Sequence, residues 1–275
     1  MKNRLERMRV AQETLEVLGR GEYEVEGKKV SIRQALEAAK GGSVFFSPEE
    51  VVEWEGDCGG GRMEFFVENL PTLEVAHRIY QDGVRKIFVL NFASARHPGG
   101  GFLAGAMAQE ESLAYASGLY ECLVLFKKEY YDYHKRFTAP FYSDGMIYSP
   151  QVPVFRDGEG RFLASPYYVS FLTSPAVNCH YLGEGDRAKV EGVMRRRIDR
   201  VLAVACKFGY RHLVLGAWGC GAFGNSAEEV SLWFGEALRG RFWGCFEEVY
   251  FAVLDFSEEK RNYLAFYRRF MERGA

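Results

Sequence analysis

Residues 91–113 read NFASARHPGGGFLAGAMAQEESL. They follow KIFVLNF at 86–92, a short apolar run that reads as a strand covered on both faces. They lead into a helical pattern that begins near Gln109. Open α/β sheets bind ligands beyond the carboxyl ends of their strands, so a strand–loop–helix passage of this kind is a candidate site. Gly99, Gly100 and Gly101 can take φ > 0 and let a ligand come close to the backbone. Successive exposed N–H groups in such a loop can cradle an anion. No Gly-Lys-Ser/Thr follows, and the spacing is not G-x-G-x-x-G, so neither common nucleotide fingerprint applies.

The same passage recurs downstream. HLVLGAWGCGAFGNSAEEV, residues 212–230, reads as a buried strand, a glycine-rich loop and a helix beginning near Ser226. Around these two passages the pattern alternates. Strands are expected at 62–68, 167–173 and 249–254, and helices at 71–83, 187–207, 226–238 and 258–271. A long helical region is expected over 109–128, and 140–166, with four prolines, reads as an excursion from the core. Ahead of the core come a helix over 3–19, a hairpin around Gly27, a short helix over 32–40 capped by Ser31, and a helix start at Ser47-Pro48-Glu49-Glu50. The sum is an α/β fold with a mixed, largely parallel sheet sandwiched between helices and an N-terminal helical extension. The expected division is an extension over 1–55 packed on a core over 56–275.

Composition narrows the function classes. The 275 residues are 48% hydrophobic and 15% aromatic, which excludes disorder for most of the chain despite 30 glycines. Thirty-five basic and 37 acidic residues leave a net charge of −2, so direct nucleic-acid binding is not expected. No apolar run is long enough to span a membrane, and the N-terminus, MKNRLERMRV, is charged where a signal peptide is apolar. The six cysteines, Cys58, Cys122, Cys179, Cys206, Cys220 and Cys245, form no C-x-x-C pair and read as reduced thiols of a cytoplasmic protein. No histidines pair at metal-ligand spacing, so neither a metal nor another cofactor is expected.

After a spacer of seven residues beyond Gly101 stand Gln109, Glu110 and Glu111. With the triple glycine, this resembles the signature of the poly(ADP-ribose) glycohydrolases, the compact bacterial type above all. NFASA, SPQVPVFRD at 149–157 and GAWGCGAFGN at 216–225 resemble that family too. The resemblance runs from about residue 62 to the C-terminus, and weakly into the N-terminal extension. It implies a macrodomain-like fold that holds ADP-ribose at the strand ends and cleaves the ribose–ribose O-glycosidic bond of poly(ADP-ribose). It implies Glu111 as catalytic acid, Glu110 as a ribose-positioning carboxylate with Gln109 beside it, Gly99–Gly101 as the catalytic loop and Asn91 as a ribose contact. Gly219, Cys220, Gly221, Ala222, Phe223 and Gly224 match the diphosphate loop, with Phe223 against the distal ribose. The implied partners are poly(ADP-ribose) and ADP-ribosylated proteins as substrate and ADP-ribose as product. The alternatives are a binding module that reads ADP-ribose without turnover and a hydrolase of mono-ADP-ribosyl groups.

The chemistry constrains these roles independently. Most glycosidases place two carboxylates on opposite sides of the bond. Adjacent helical residues point about 100° apart, so Glu110 and Glu111 cannot flank it. One glutamate must then give a proton to the leaving oxygen and take one back from water. A helix N-terminus favours an ionised carboxylate, whereas a general acid needs the opposite shift. Of the remaining candidates, Glu68-Asn69 could touch adenine, His97 reads as an exposed loop residue, Arg195-Arg196-Arg197 as a solvated face, and the 149–156 stretch as a sheet edge.

Overall fold

Every side chain from Ile87 to Asn91 is buried, which is why β5 (Ile87–Phe92) occupies the middle of a seven-stranded sheet. The computed structural model describes residues 3–54, 58–136, 140–183 and 185–272. On one side of β5 lie β8 (His212–Leu215), β9 (Glu248–Ala252) and β4 (Glu64–Glu68), all parallel. On the other lies β7 (Phe162–Ser174), also parallel, then β6 (Met146–Arg156) and β3 (Val44–Phe46), each antiparallel to its neighbour. The alternation of β5 divides the core. Phe88 and Leu90 pack on one face with α6 (Arg187–Lys207), α7 (Ala227–Arg239) and α8 (Arg261–Phe270). Ile87 and Val89 pack on the other with α3 (Thr72–Gln81), α4 (Gln109–Ala116) and α5 (Leu119–Val124).

The N-terminal segment holds α1 (Arg4–Arg20), a hairpin of β1 (Glu22–Val25) and β2 (Lys28–Ser31), α2 (Arg33–Gly41) and β3. Asn3 caps α1 by accepting the Glu6 N–H at 2.9 Å, and Gly21 ends it in the left-handed conformation. The helix runs one residue past the expected end at Gly19. Ser31 is not the cap of α2 either: Ile32 occupies that position without a side-chain bond. Ser47–Glu50 closes one turn and starts no helix. Arg200 takes the Ser47 and Glu50 carbonyls, and Val52 is buried in the core at a tight turn closed by the Glu53 N–H on the Val51 carbonyl at 3.0 Å.

Three further expectations change. The region 109–128 is broken at Ser117, whose extended backbone bridges to Val154 while Gly118 donates to the Pro153 carbonyl at 3.0 Å. Residues 140–166 do not leave the core; most of them build β6 and the start of β7. The prolines misled because β6 tolerates them locally: β3 pairs only with Met146–Tyr148, and the register shifts between Ser149 and Val152 around Pro150. The cysteines are not all reduced. Cys58 and Cys245 form a disulfide, while Cys122, Cys179, Cys206 and Cys220 are free. Among the described residues no helix is long and apolar enough to cross a membrane.

The disulfide joins the segment before β4 to the loop before β9 across 187 residues. Closing so long a loop restricts the unfolded chain, which is worth about 2–4 kcal/mol. Replacing both Cys58 and Cys245 with serine should lower the urea midpoint accordingly. A midpoint unchanged by the substitutions and by reductant would remove the cross-link from the account.

Candidate active site

The end of β5 is stitched to the start of α4 by one side chain. Gln109 accepts the Phe92 N–H through Oε1 at 2.9 Å and donates through Nε2 to the Leu90 carbonyl at 2.8 Å and Thr72 Oγ1 at 3.3 Å. Both ends of its amide are thus committed to the scaffold. This fixes the next two residues. Glu110 turns toward β5, where Oε1 accepts from Asn91 Nδ2 at 3.2 Å and Oε2 from the Ser94 N–H at 2.6 Å. Asn91 is fully buried behind it and also donates to Thr173 Oγ1 at 3.1 Å.

Glu111 turns toward the glycine loop. Its Oε1 accepts the Gly101 N–H at 2.8 Å, and its Oε2 is buried with no hydrogen-bond partner. This approach depends on Gly100, which has φ +61 and would drive a Cβ into the Glu111 carboxylate. The loop is braced from behind. The Tyr115 hydroxyl lies 2.9 Å from both the Phe102 and Ala106 carbonyls, and Thr14 of α1 donates to the Tyr115 carbonyl at 2.8 Å. Arg4 and Arg7 of α1 donate to the Ala104 and Gly105 carbonyls at 2.9 and 2.8 Å.

Burial pushes Glu110 up to about 8, helped by the neighbouring charge of Glu111 and opposed by the Ser94 and Asn91 hydrogen bonds. The helix N-terminus does not decide its state; desolvation does. Glu110 is therefore largely neutral at pH 7.

The second loop closes the opposite wall. Asn225 holds it, donating through Nδ2 to the Val177 carbonyl at 2.7 Å and the Gly219 carbonyl at 3.1 Å. Gly219 is left-handed at φ +77, and a Cβ there would strike Ala176 and Asn225. The amides of Gly221, Ala222 and Phe223 have no acceptor among the described residues. They form a run of donors suited to an anion. Cys220 faces away: its thiol donates to the Trp218 carbonyl at 3.7 Å, and burial pushes its pKa far up, which is unlike a nucleophile.

Between the loops lies a cleft of about 500 Å³, lined by Ser94, Glu110, Glu111, Gly219, Gly221, Ala222 and Phe223. Asn91, Gly99, Gly100, Gly101, Cys220 and Gly224 are not among the residues that line it; Asn91 and Gly101 act on it through their bonds to Glu110 and Glu111. Glu68 and Asn69 are not part of it. Glu68 pairs with Arg78, and Asn69 both donates to and accepts from the Asp255 backbone. Leu254 and Phe256, beyond the end of β9, line that end instead, and Phe256 is 89% exposed. The strand-end rule applied to the Val253–Phe256 run would have found them. His97 is exposed outside the cleft, as expected. The arginine run of α6 is not a solvated face throughout, because Arg197 is buried to 1%.

A family model described as the microbial-type PARG catalytic domain matches residues 11–157. No match is found among curated proteins. Among solved structures, poly(ADP-ribose) glycohydrolase from Thermomonospora curvata is 43% identical, with a TM-score of 0.93 over 97% of this chain and 100% of that one. The same organism's enzyme bound to the inhibitor ADP-HPD gives a TM-score of 0.91 at 44% identity, again over 97% and 100%. The Deinococcus radiodurans enzyme in complex with ADP-ribose gives 0.79 at 36% identity over 90% of this chain and 99% of that one.

Two outcomes test the geometry. Gly100→Ala should cut turnover roughly a hundredfold by displacing Glu111, at a stability cost of about 1–2 kcal/mol from the left-handed backbone; native turnover would mean the loop can give way. The raised pKa of Glu110 makes its contribution to stability complete below the unfolded value near 4.5 and lost as pH rises through about 8. Glu110→Gln should therefore flatten the fall of Tm across that interval, and parallel curves would show that burial does not hold Glu110 neutral.

Proposed function

Because this chain belongs to the microbial-type poly(ADP-ribose) glycohydrolases, and is a glycoside hydrolase cleaving the ribose–ribose bond of poly(ADP-ribose) on a macrodomain-like fold, we propose that Glu111 is its acid–base group. The observation that carries this is the asymmetry of its carboxylate. Glu111 lines the cleft; one of its oxygens is fixed by the Gly101 N–H, and the other is buried without a partner. The unpaired Oε2 is the atom free to carry a proton to the leaving ribose oxygen. As the glycosidic bond breaks, positive charge develops on the ribose, and a diphosphate held by the Gly221–Phe223 amides would stabilise it. Water then adds to the anomeric carbon while Glu111 takes its proton, restoring the acid.

The other residues bind. Glu110, with Asn91 behind it, offers a ribose hydroxyl a partner that is mostly neutral. The free amides of Gly221, Ala222 and Phe223 suit the diphosphate. The Phe223 ring suits the apolar face of the distal ribose, and the exposed Phe256 ring suits the flat face of adenine. The relatives solved with ADP-ribose and with ADP-HPD support ADP-ribose as the product. The polymer and the proteins that carry it are then the partners. Residues 1–55 serve as an extension that closes on the 56–275 core, supported by the contacts of α1 with the glycine loop. For residence in the cytoplasm, the four free cysteines argue in favour and the Cys58–Cys245 disulfide argues against.

Glu111→Ala should lower release of ADP-ribose from labelled polymer by about three orders of magnitude. Its affinity for ADP-ribose by calorimetry should stay near the parent value. Turnover that survives the substitution would take the acid–base role away from Glu111.

A further inference from the structure

The Phe223 ring is backed by a tyrosine outside the cleft. Tyr142 lies 6.2 Å away between centroids, at an interplanar angle of 38°. Its backbone is left-handed, at φ +55. A bulky L residue adopts that region only where its surroundings over-determine it, and such positions gather at functional sites.

Here both neighbours of Tyr142 are pinned. Ser143 donates its N–H to Nε2 of the fully buried His134 at 3.1 Å, and its hydroxyl lies 2.7 Å from the same nitrogen. The Phe141 carbonyl accepts from Arg197. Arg197 also donates to the Pro175 carbonyl at 2.9 Å and pairs with Asp144 at 2.8 Å. The connection continues to the cleft. Asn178 donates to the Pro140 carbonyl at 2.9 Å, and the adjacent Cys179 donates to the Phe223 carbonyl at 2.7 Å. One buried guanidinium thus ties together the Tyr142 turn and the 175–179 segment, and the latter grips Phe223. A buried ion pair is a poor way to gain stability compared with apolar packing, and its better-attested use is to fix one arrangement.

We propose that Tyr142 is a positioning residue that fixes the Phe223 ring over the distal ribose, and so governs capture of the polymer end rather than the proton transfer at Glu111. The inference rests on the reading that Phe223 covers that ribose.

The test uses the full chain with Tyr142→Gly, Tyr142→Phe, Phe223→Ala and the Tyr142→Gly/Phe223→Ala pair. Glycine removes the ring and accepts φ > 0 without strain, so the variant should keep the parent Tm. It should raise KM for polymer about five- to tenfold with kcat little changed, the size expected for losing one aromatic contact. Tyr142→Phe should restore KM. Phe223→Ala should raise KM on its own, and adding Tyr142→Gly should raise it no further. An unchanged KM in Tyr142→Gly beside a raised KM in Phe223→Ala would overturn the inference alone. An unchanged KM in Phe223→Ala would overturn the reading on which it rests. Additive effects in the pair would overturn action through Phe223.

Discussion

Glu111 Oε1 and the Gly101 N–H meet at 2.8 Å across a loop that has room for no Cβ at Gly100. Much of the surrounding structure serves to keep them there. Gln109 fixes where α4 starts relative to β5, and with it the direction of the next two side chains. Phe102 is fully buried beneath the loop, packed against Tyr115 with ring centroids 5.7 Å apart. α1 adds the outer brace, since Arg4 and Arg7 hold the carbonyls at the far end of the loop. An N-terminal segment that reads as an extension therefore bears on the position of a group more than a hundred residues away.

The two glycine-rich loops were legible because their signals are local. KIFVLNF and HLVLGA have the continuous apolar character of strands covered twice, and each runs into glycines that a close approach requires. What was not legible depends on partners distant in the chain. Arg197 sits in a basic run whose plainest reading is solvent, and only Asp144 and the carbonyls of Phe141 and Pro175 make its burial possible. Cys58 and Cys245 show no motif, because their pairing is set by the sheet that brings β4 beside β9. Pro150 and Pro153 argue against a core strand until one sees that β3 covers only the first part of β6. Gln109 lines the cleft beside the glutamates, but the bonds of its amide to Phe92, Leu90 and Thr72 depend on partners from other elements and are not visible in the local pattern.

The two glutamates differ by environment rather than by position along the helix. Both carboxylates converge on Gly100. Like charges brought together in a buried place do not both ionise easily, and burial puts the neutral form on Glu110. That has a consequence for binding. A ligand carrying a diphosphate is repelled by buried negative charge, whereas a neutral carboxyl can hydrogen-bond a hydroxyl at no such cost. The Asn91 and Ser94 donors that hold Glu110 also oppose its protonation, so its affinity for the proton is tuned from both sides. Adjacent glutamates that cannot flank a bond can still divide the work under the proposed roles. The one oriented by the strand would bind, and the one oriented by the loop, with an oxygen left unpaired, would move the proton.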